Sequence, residues 1–389
     1  MRRESFTEDA QCAIAVENSS PFKGGATRQQ IESARMHDLD LLVPSALVDP
    51  ALAADLLRDR SLPHLSRLRA RGGRIEDIVL SGHAPLTPWQ MWVFSARGGS
   101  DANSAINLAE LWAMACGIAP ASNGRRWVAE PAHFLIARDH LRLADPHGLG
   151  ITIAEARALA EAIEPVLSES GWHLEPIEPA TLTHWLLHRD DDLDLSGAAI
   201  ERAIGDNVAA WQPRARGASN GDGNAADAAA LAWRRCSNEI QMLWFGDPVN
   251  DAREERGLPA INTLWLSGNG APPAPLPHYR AIDSSLPLLA SLPVEPDATR
   301  ALETFDGLIE AARAEDWSGW RVQLEALDVR IGALFDQQRE RVIGALTIVF
   351  CGRDRIRSAR IAPRDLGKFW RGWGAAASLA DFFAEDPAA

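Results

Sequence analysis

Apolar positions change their spacing several times along the chain, and each spacing predicts an element. Leu39–Val43 is a short apolar run stopped by Pro44, the pattern of a strand. Apolar residues at helical spacing run from Pro50 to Arg71 and stop at Gly72-Gly73, which predicts one helix. A second helical pattern covers about 103–116 and stops at Gly117. Phe134–Leu143 alternates and predicts a strand. Thr152 and Glu155 form a capping box for a helix with Ala156, Leu159, Ile163 and Leu167 on one face, and Pro165 should kink or end it. Short strands are expected near 171–177 and 182–188.

Residues 214–230 hold little apolar bulk and much Gly, Asn, Asp and Ala, which predicts a loop before a helix at about 227–245. Asn250 stands where a helix cap would, with Asp251 in the first turn, Gly257 after the last turn and Pro259 beyond it. Ile261–Leu266 reads as a strand running into Ser267-Gly268-Asn269-Gly270. The Pro-rich stretch 272–296 is a connector. Helices are expected near 298–314 and 317–338, the second apolar at Trp317, Trp320, Leu324, Leu327, Ile331 and Leu334. Val342–Cys351 is almost continuously apolar, as expected of a strand buried on both faces. The polar residues 1–36 show no periodicity and are expected to form a disordered tail, with Met36 a candidate start. The alternation of strands and helices places the chain in the α/β class.

Composition narrows the function. A net charge of −14 argues against specific nucleic-acid binding, which needs clustered Lys and Arg against phosphate. The four Cys (Cys12, Cys116, Cys236, Cys351) are far apart and read as free thiols in a reducing compartment. No secretory leader and no apolar run of about 18 residues is visible, so a cytoplasmic location and no membrane partner are expected. Fourteen Trp against one Tyr predict a Trp-rich core, since Trp buries a large area per side chain.

The stretch from Asn238 to Gly270 is the most specific in the chain. Pro248, Val249, Asn250, Arg253, Gly257, Pro259, Asn262, Trp265, Leu266, Gly268 and Gly270 stand in an irregular order that resembles archaeal-type cofactor-independent phosphoglycerate mutases. In those enzymes a helix meets a His-Pro-Val-Asn turn, followed by an Arg and an Asn-x-x-Trp-Leu-x-Gly-x-Gly strand-turn. Leu62–Leu68 with Gly72, and Glu325-Ala326-Leu327-Asp328, are similar to two helices of the wider alkaline-phosphatase-like superfamily. The chain also resembles the bacterial regulatory protein RpfE family. The resemblance implies an alkaline-phosphatase-like core at 37–130 and 271–375, an inserted α+β domain at 131–270, and a tail at 376–389.

The resemblance also implies two cations, Mn or Mg, held by Asp and His to carry phosphoryl chemistry. The residues at the implied positions do not suit that task. The first strand runs into Pro44-Ser45 instead of Asp-Gly. The loop before the Glu-x-x-Asp helix offers Glu315 and Asp316 but no His, with Trp317 and Trp320 close by. The last core strand runs through Cys351 and Gly352 into Arg353 instead of Asp-His. The sequence therefore favours a non-catalytic regulatory or binding protein without a metal cofactor. The alternative is a metal-dependent phosphoglycerate mutase or phosphatase with displaced ligands.

Several other groups are candidates for chemistry. Asn250, Arg253, Asn262, Ser267 and Asn269 either line a phosphate-sized pocket or fix a hinge. His184 and His188, followed by Asp190, Asp191, Asp192 and Asp194, are either a metal site or a polar surface. Asp139-His140 is either an acid–base pair or a strand-end pair. Arg353, Arg355, Arg357, Arg360, Arg364, Lys368 and Arg371, opposed only by Asp354 and Asp365, form the one strongly basic stretch, with Phe369, Trp370 and Trp373 between them. An acidic partner or an anionic small molecule is expected there.

Overall fold

The computed structural model describes residues 36–389 apart from 73–74, 95–106, 120–124, 192, 194, 216–222, 269–277, 368–377 and 386–389. The expected tail at 1–35 and the candidates Asn269, Lys368 and Arg371 lie outside the described residues, as do Asp192 and Asp194.

Twelve strands form among the described residues. They are β1 (His37–Val43), β2 (Ile75–Val79), β3 (Arg126–Ala132), β4 (Phe134–Ile136), β5 (Leu141–Leu143), β6 (His173–Leu174), β7 (Trp185–His188), β8 (Thr263–Ser267), β9 (Ala281–Asp283), β10 (Arg300–Thr304), β11 (Ile343–Cys351) and β12 (Arg355–Ile361). Six of them make a mixed sheet in the order β2-β12-β11-β1-β10-β9. Strands β11, β1, β10 and β9 run parallel, β12 runs antiparallel to β11, and β2 runs antiparallel to β12 and so in the direction of the first four. A four-stranded antiparallel sheet follows the order β6-β7-β3-β8, and β4 pairs with β5 as a hairpin. All strands of the smaller sheet come from one stretch of chain, 126–267. Residues His37–Ala389 together form one compact unit.

Successive residues of β1 point to opposite faces, and both faces are buried. Leu39, Leu41 and Val43 pack with Leu65, Leu68, Trp320, Leu324 and Leu327 of the helices Pro63–Arg71 and Trp317–Arg339. Leu42 packs instead with Leu302, Val349, Met91 and Leu111, under the helices Pro88–Phe94 and Leu108–Ala115. The second of these helices turns Ala109 and Ala113 toward Val128 and Leu186 of the smaller sheet. It is therefore wedged between the two sheets. The far face of the smaller sheet packs Trp127, Trp185 and Leu266 against Leu159, Ile163, Trp233 and Trp244. The Trp-rich core is thus real: Trp127, Trp172, Trp185, Trp244 and Trp320 are among the largest fully buried side chains.

Several expectations need correction. The single helix over Pro50–Arg71 is two helices, Pro50–Leu56 and Pro63–Arg71. Pro63 has no N–H to continue a helix, and Asp59 takes a left-handed φ of 56° between them. The strand Phe134–Leu143 is a hairpin. The helix Ile153–Glu169 keeps its capping box but runs through Pro165, which lies near its C-terminal end and disturbs one bond only. The cap at 250 belongs to Asp247, whose side chain accepts from the Val249 N–H, while Asn250 sits inside the helix Pro248–Glu255. Residues 300–304 are strand β10 and not helix, because pairing with β1 overrides local propensity. Among the described residues no helix is long and apolar enough to cross a membrane.

Candidate active site

Parallel α/β sheets open their clefts beyond the carboxyl ends of the strands. Here a cavity of about 890 Å³ lies past the ends of β1 and β11, between the larger sheet and strands β3 and β8. Pro44, Ser45, Cys351 and Gly352 form its floor, and Glu130, Ser267, His184, His147, Glu201 and Arg313 face it from other elements.

Glu130 is the fifth residue of β3 and stands between Ala129 and Pro131, buried with the strand. The Ser267 hydroxyl, on the paired strand β8, donates to Glu130 Oε2 at 3.0 Å. His184 Nε2 lies 3.4 Å from Glu130 Oε1. The His184 ring stacks on Trp112 at 4.0 Å, and its Nδ1 meets the Thr183 hydroxyl at 2.9 Å. Burial pushes the Glu130 carboxyl well above the ordinary range, and the charge of Glu201 adds to the effect, while the Ser267 hydrogen bond opposes it. Glu201 is raised by burial as well, against the pull of Arg313 and His147. Burial also holds His184 at about 4, so its imidazole is neutral at pH 7. His147 Nδ1 lies 2.8 Å from Asp145 Oδ1, and Arg313 bonds Glu310 at 3.2 Å beside it. The arrangement places two carboxyls, both raised by burial, on the wall of one cleft.

The strand ends themselves are plugged. The Trp320 indole donates to the Ser45 carbonyl at 3.0 Å, so that oxygen is already engaged. Phe383 packs edge-on against Trp320 and Phe350 at 6.5 and 5.4 Å. Glu385 accepts from the backbone N–H groups of Arg353 and Asp354, at 2.7 and 2.5 Å. A Cβ on Gly352 would lie 1.8 Å from Glu385 Oε2, so only glycine leaves room for that carboxylate. Cys351 is fully buried, and burial raises its thiol far above the ordinary range. Pro44, Trp320, Cys351 and Arg353 offer no carboxylate or imidazole to a cation, so these residues do not fit the two-metal centre that the sequence motif implies. Among the described residues, no three His, Cys, Asp or Glu side chains group as a metal site would require.

Of the described motif residues, only Ser267 reaches the cavity. Asn250 donates to the carbonyls of Trp244 and Ile261 at 2.7 and 2.8 Å and accepts from the Ile261 N–H at 2.7 Å. Arg253 is fully buried. It donates to the Pro259 carbonyl at 2.9 Å, to Glu155 at 3.2 Å and to the Leu149 carbonyl at 2.5 Å. Asn262 accepts from the Phe134 N–H at 2.7 Å and donates to its carbonyl at 3.1 Å. These three residues fasten chain segments together.

The remaining candidates scatter. His184 faces the cavity, but His188 lies 3.5 Å from Glu175, and Asp190 lies 3.6 Å from His173. Asp139 and His140 do meet, at 2.7 Å, on the exposed β4–β5 turn away from the cleft. The described part of the basic stretch is largely strand β12, and its arginines there are ion-paired. Arg357 is buried and bonds Asp77 at 2.7 Å and the Asp381 carbonyl at 3.2 Å. Arg355 pairs with Asp77 at 3.5 Å, Arg360 with Asp38 at 2.9 Å, and Arg353 with Asp206. Arg364 is exposed beyond the strand.

Sequence patterns passed over Glu130, Glu201, Asp145, His147 and Arg313. One signal was present: Glu130 interrupts the otherwise apolar run Trp127–Ala132.

No family model and no curated protein matches the chain. Among solved structures it is similar to a cofactor-independent phosphoglycerate mutase from Thermoplasma acidophilum DSM 1728, with 13% identity, 90% of this chain and 99% of that one covered, and a TM-score of 0.41. It is also similar to the PH0037 protein from Pyrococcus horikoshii, with 12% identity, 84% and 88% covered, and a TM-score of 0.48.

Proposed function

We propose that this chain is a phosphoglycerate-mutase-like protein that binds a small molecule and regulates, without catalysing phosphoryl transfer. In this reading the larger sheet is an alkaline-phosphatase-like core, and 131–270 is its inserted α+β domain. The order of residues from Pro248 to Gly268 supports the ancestry. So does Ser45, which keeps a left-handed φ of 56° at the position where the mutase pattern has glycine.

The observation that carries the reading is the plug at the ends of β1 and β11. Trp320, Phe383 and Glu385 occupy the space and the hydrogen-bonding groups that cation ligands would need. A phosphoryl group arriving there would meet apolar rings, which strip its water without replacing it, and a carboxylate, which repels its charge. The cleft beside the plug stays open, and binding is what an open, largely apolar cleft with a few polar groups can still do.

The test is metal analysis of the purified full chain, paired with a 3-phosphoglycerate turnover assay in Mn2+ or Mg2+. Substoichiometric metal and no turnover are expected. Two bound equivalents of metal, or turnover that depends on them, would establish the metal-dependent mutase or phosphatase instead.

A further inference from the structure

We propose that the cleft binds a small organic molecule carrying an ammonium group, seated between the Glu130 and Glu201 carboxylates. The inference deepens the binding function above and rests on it.

The argument begins with charges on the cavity wall. Its arginines already have acceptors. Arg202 bonds Asp354 at 2.6 Å, Arg313 bonds Glu310, Arg353 bonds Asp206, and Arg142 donates to the Gly205 carbonyl at 2.6 Å. The two glutamates are treated differently. Glu130 has a serine hydroxyl and the uncharged His184 beside it. Glu201, on the cleft wall, is bonded by its own backbone N–H, with Arg313 and His147 acting on it through space and Asp145 opposing them. Among the described residues, two carboxyls therefore face the same cleft without an Arg or Lys in contact with either.

Such a pair is costly in a low-dielectric site unless it holds a proton or a cation. An ammonium group supplies one positive charge and three donors, enough for both carboxylates and the Thr183 hydroxyl nearby. Trp89 and Trp112 line the same cavity, and indole faces attract organic cations. A divalent metal fits less well, because no third ligating side chain joins the pair among the described residues. The volume suits a small molecule rather than a bare ion. Burial raises both carboxyls, so a bound ammonium favours loss of any proton they hold, and that release is measurable.

Isothermal titration of the full chain at pH 7 tests this with 1,4-diaminobutane and n-butylamine as probes, in two buffers of different ionisation enthalpy. Saturable binding, with proton release rather than uptake, is expected. Glu130→Gln and Glu201→Gln should each weaken it about tenfold or more while the melting temperature holds or rises. Should Glu201→Gln fail to fold, Glu130→Gln decides alone. No saturable amine binding, amine binding unchanged in the variants, or a preference for butyrate or inorganic phosphate would overturn the proposal. So would tight Mg2+ or Mn2+ binding that Glu130→Gln removes. A negative result here without phosphoglycerate turnover sinks only the ammonium ligand, whereas turnover sinks the regulatory reading as well.

Discussion

Glu155 and Glu130 are both buried carboxylates on the smaller sheet's side of the molecule, and their surroundings push them in opposite directions. Burial opposes ionisation of Glu155, yet the Thr152 N–H, Arg256 and Arg253 overcome it and hold the group at about 2. Among the described residues no such cation bonds Glu130, and burial carries it upward. A carboxylate that receives every donor it can use is a structural fastening. One left short of charge is poised to take something else, and carboxyls with shifted affinities for protons gather at functional sites. The comparison also separates what looked functional from what faces the cleft. The motif around Arg253 belongs to the satisfied region, whereas Glu130 and Glu201, which face the cleft, were announced by no motif.

The largest effect should come from breaking the satisfied region. Arg253→Met leaves Glu155 and the carbonyls of Pro259 and Leu149 short of a donor inside the core. A loss of about 3–5 kcal/mol in denaturant unfolding is expected. A loss below about 1 kcal/mol would mean that Arg253 is free for a ligand after all. Next comes strand β12. Replacing Arg355, Arg357 and Arg360 with Ser should cost on the order of 3 kcal/mol, because Arg357 ties the C-terminal segment to Asp77. If stability holds and affinity for an anionic partner disappears, those arginines are a docking face.

The smallest effect sharpens the comparison itself. The Glu155 carboxyl is held at about 2 in the fold, below its ordinary 4.5, so its contribution is fully present above pH 4.5. That contribution is lost as pH falls from 4.5 to 2, and with partial solvent screening it amounts to on the order of 1–2 kcal/mol. Glu130 has the opposite sign. Its raised value stabilises only below the ordinary carboxyl range, and that support is lost as pH rises. At pH 7, Glu130→Gln should therefore raise the melting temperature, and Glu155→Gln should lower it and flatten the acid limb. The same sign for both variants would end the distinction between the two carboxylates.

The sequence alone determined what depends on local spacing. The buried strand β11 was legible as a run of apolar residues, the capping box of Ile153–Glu169 as Thr152 with Glu155, and the helix Trp317–Arg339 as its apolar face. These features follow from the two periods of the backbone, which any short window displays. Tertiary structure decided the rest. Pro248–Gly268 announced importance but not role, since the partners of Arg253 lie about a hundred residues away at Leu149 and Glu155. The cleft gathers Glu130, Glu201 and Arg313 from three distant stretches, and its floor is closed by Glu385 near the chain's end. No local pattern records such approaches. Residues that meet only after folding are selected by packing and charge across the fold, and each looks unremarkable among its own neighbours.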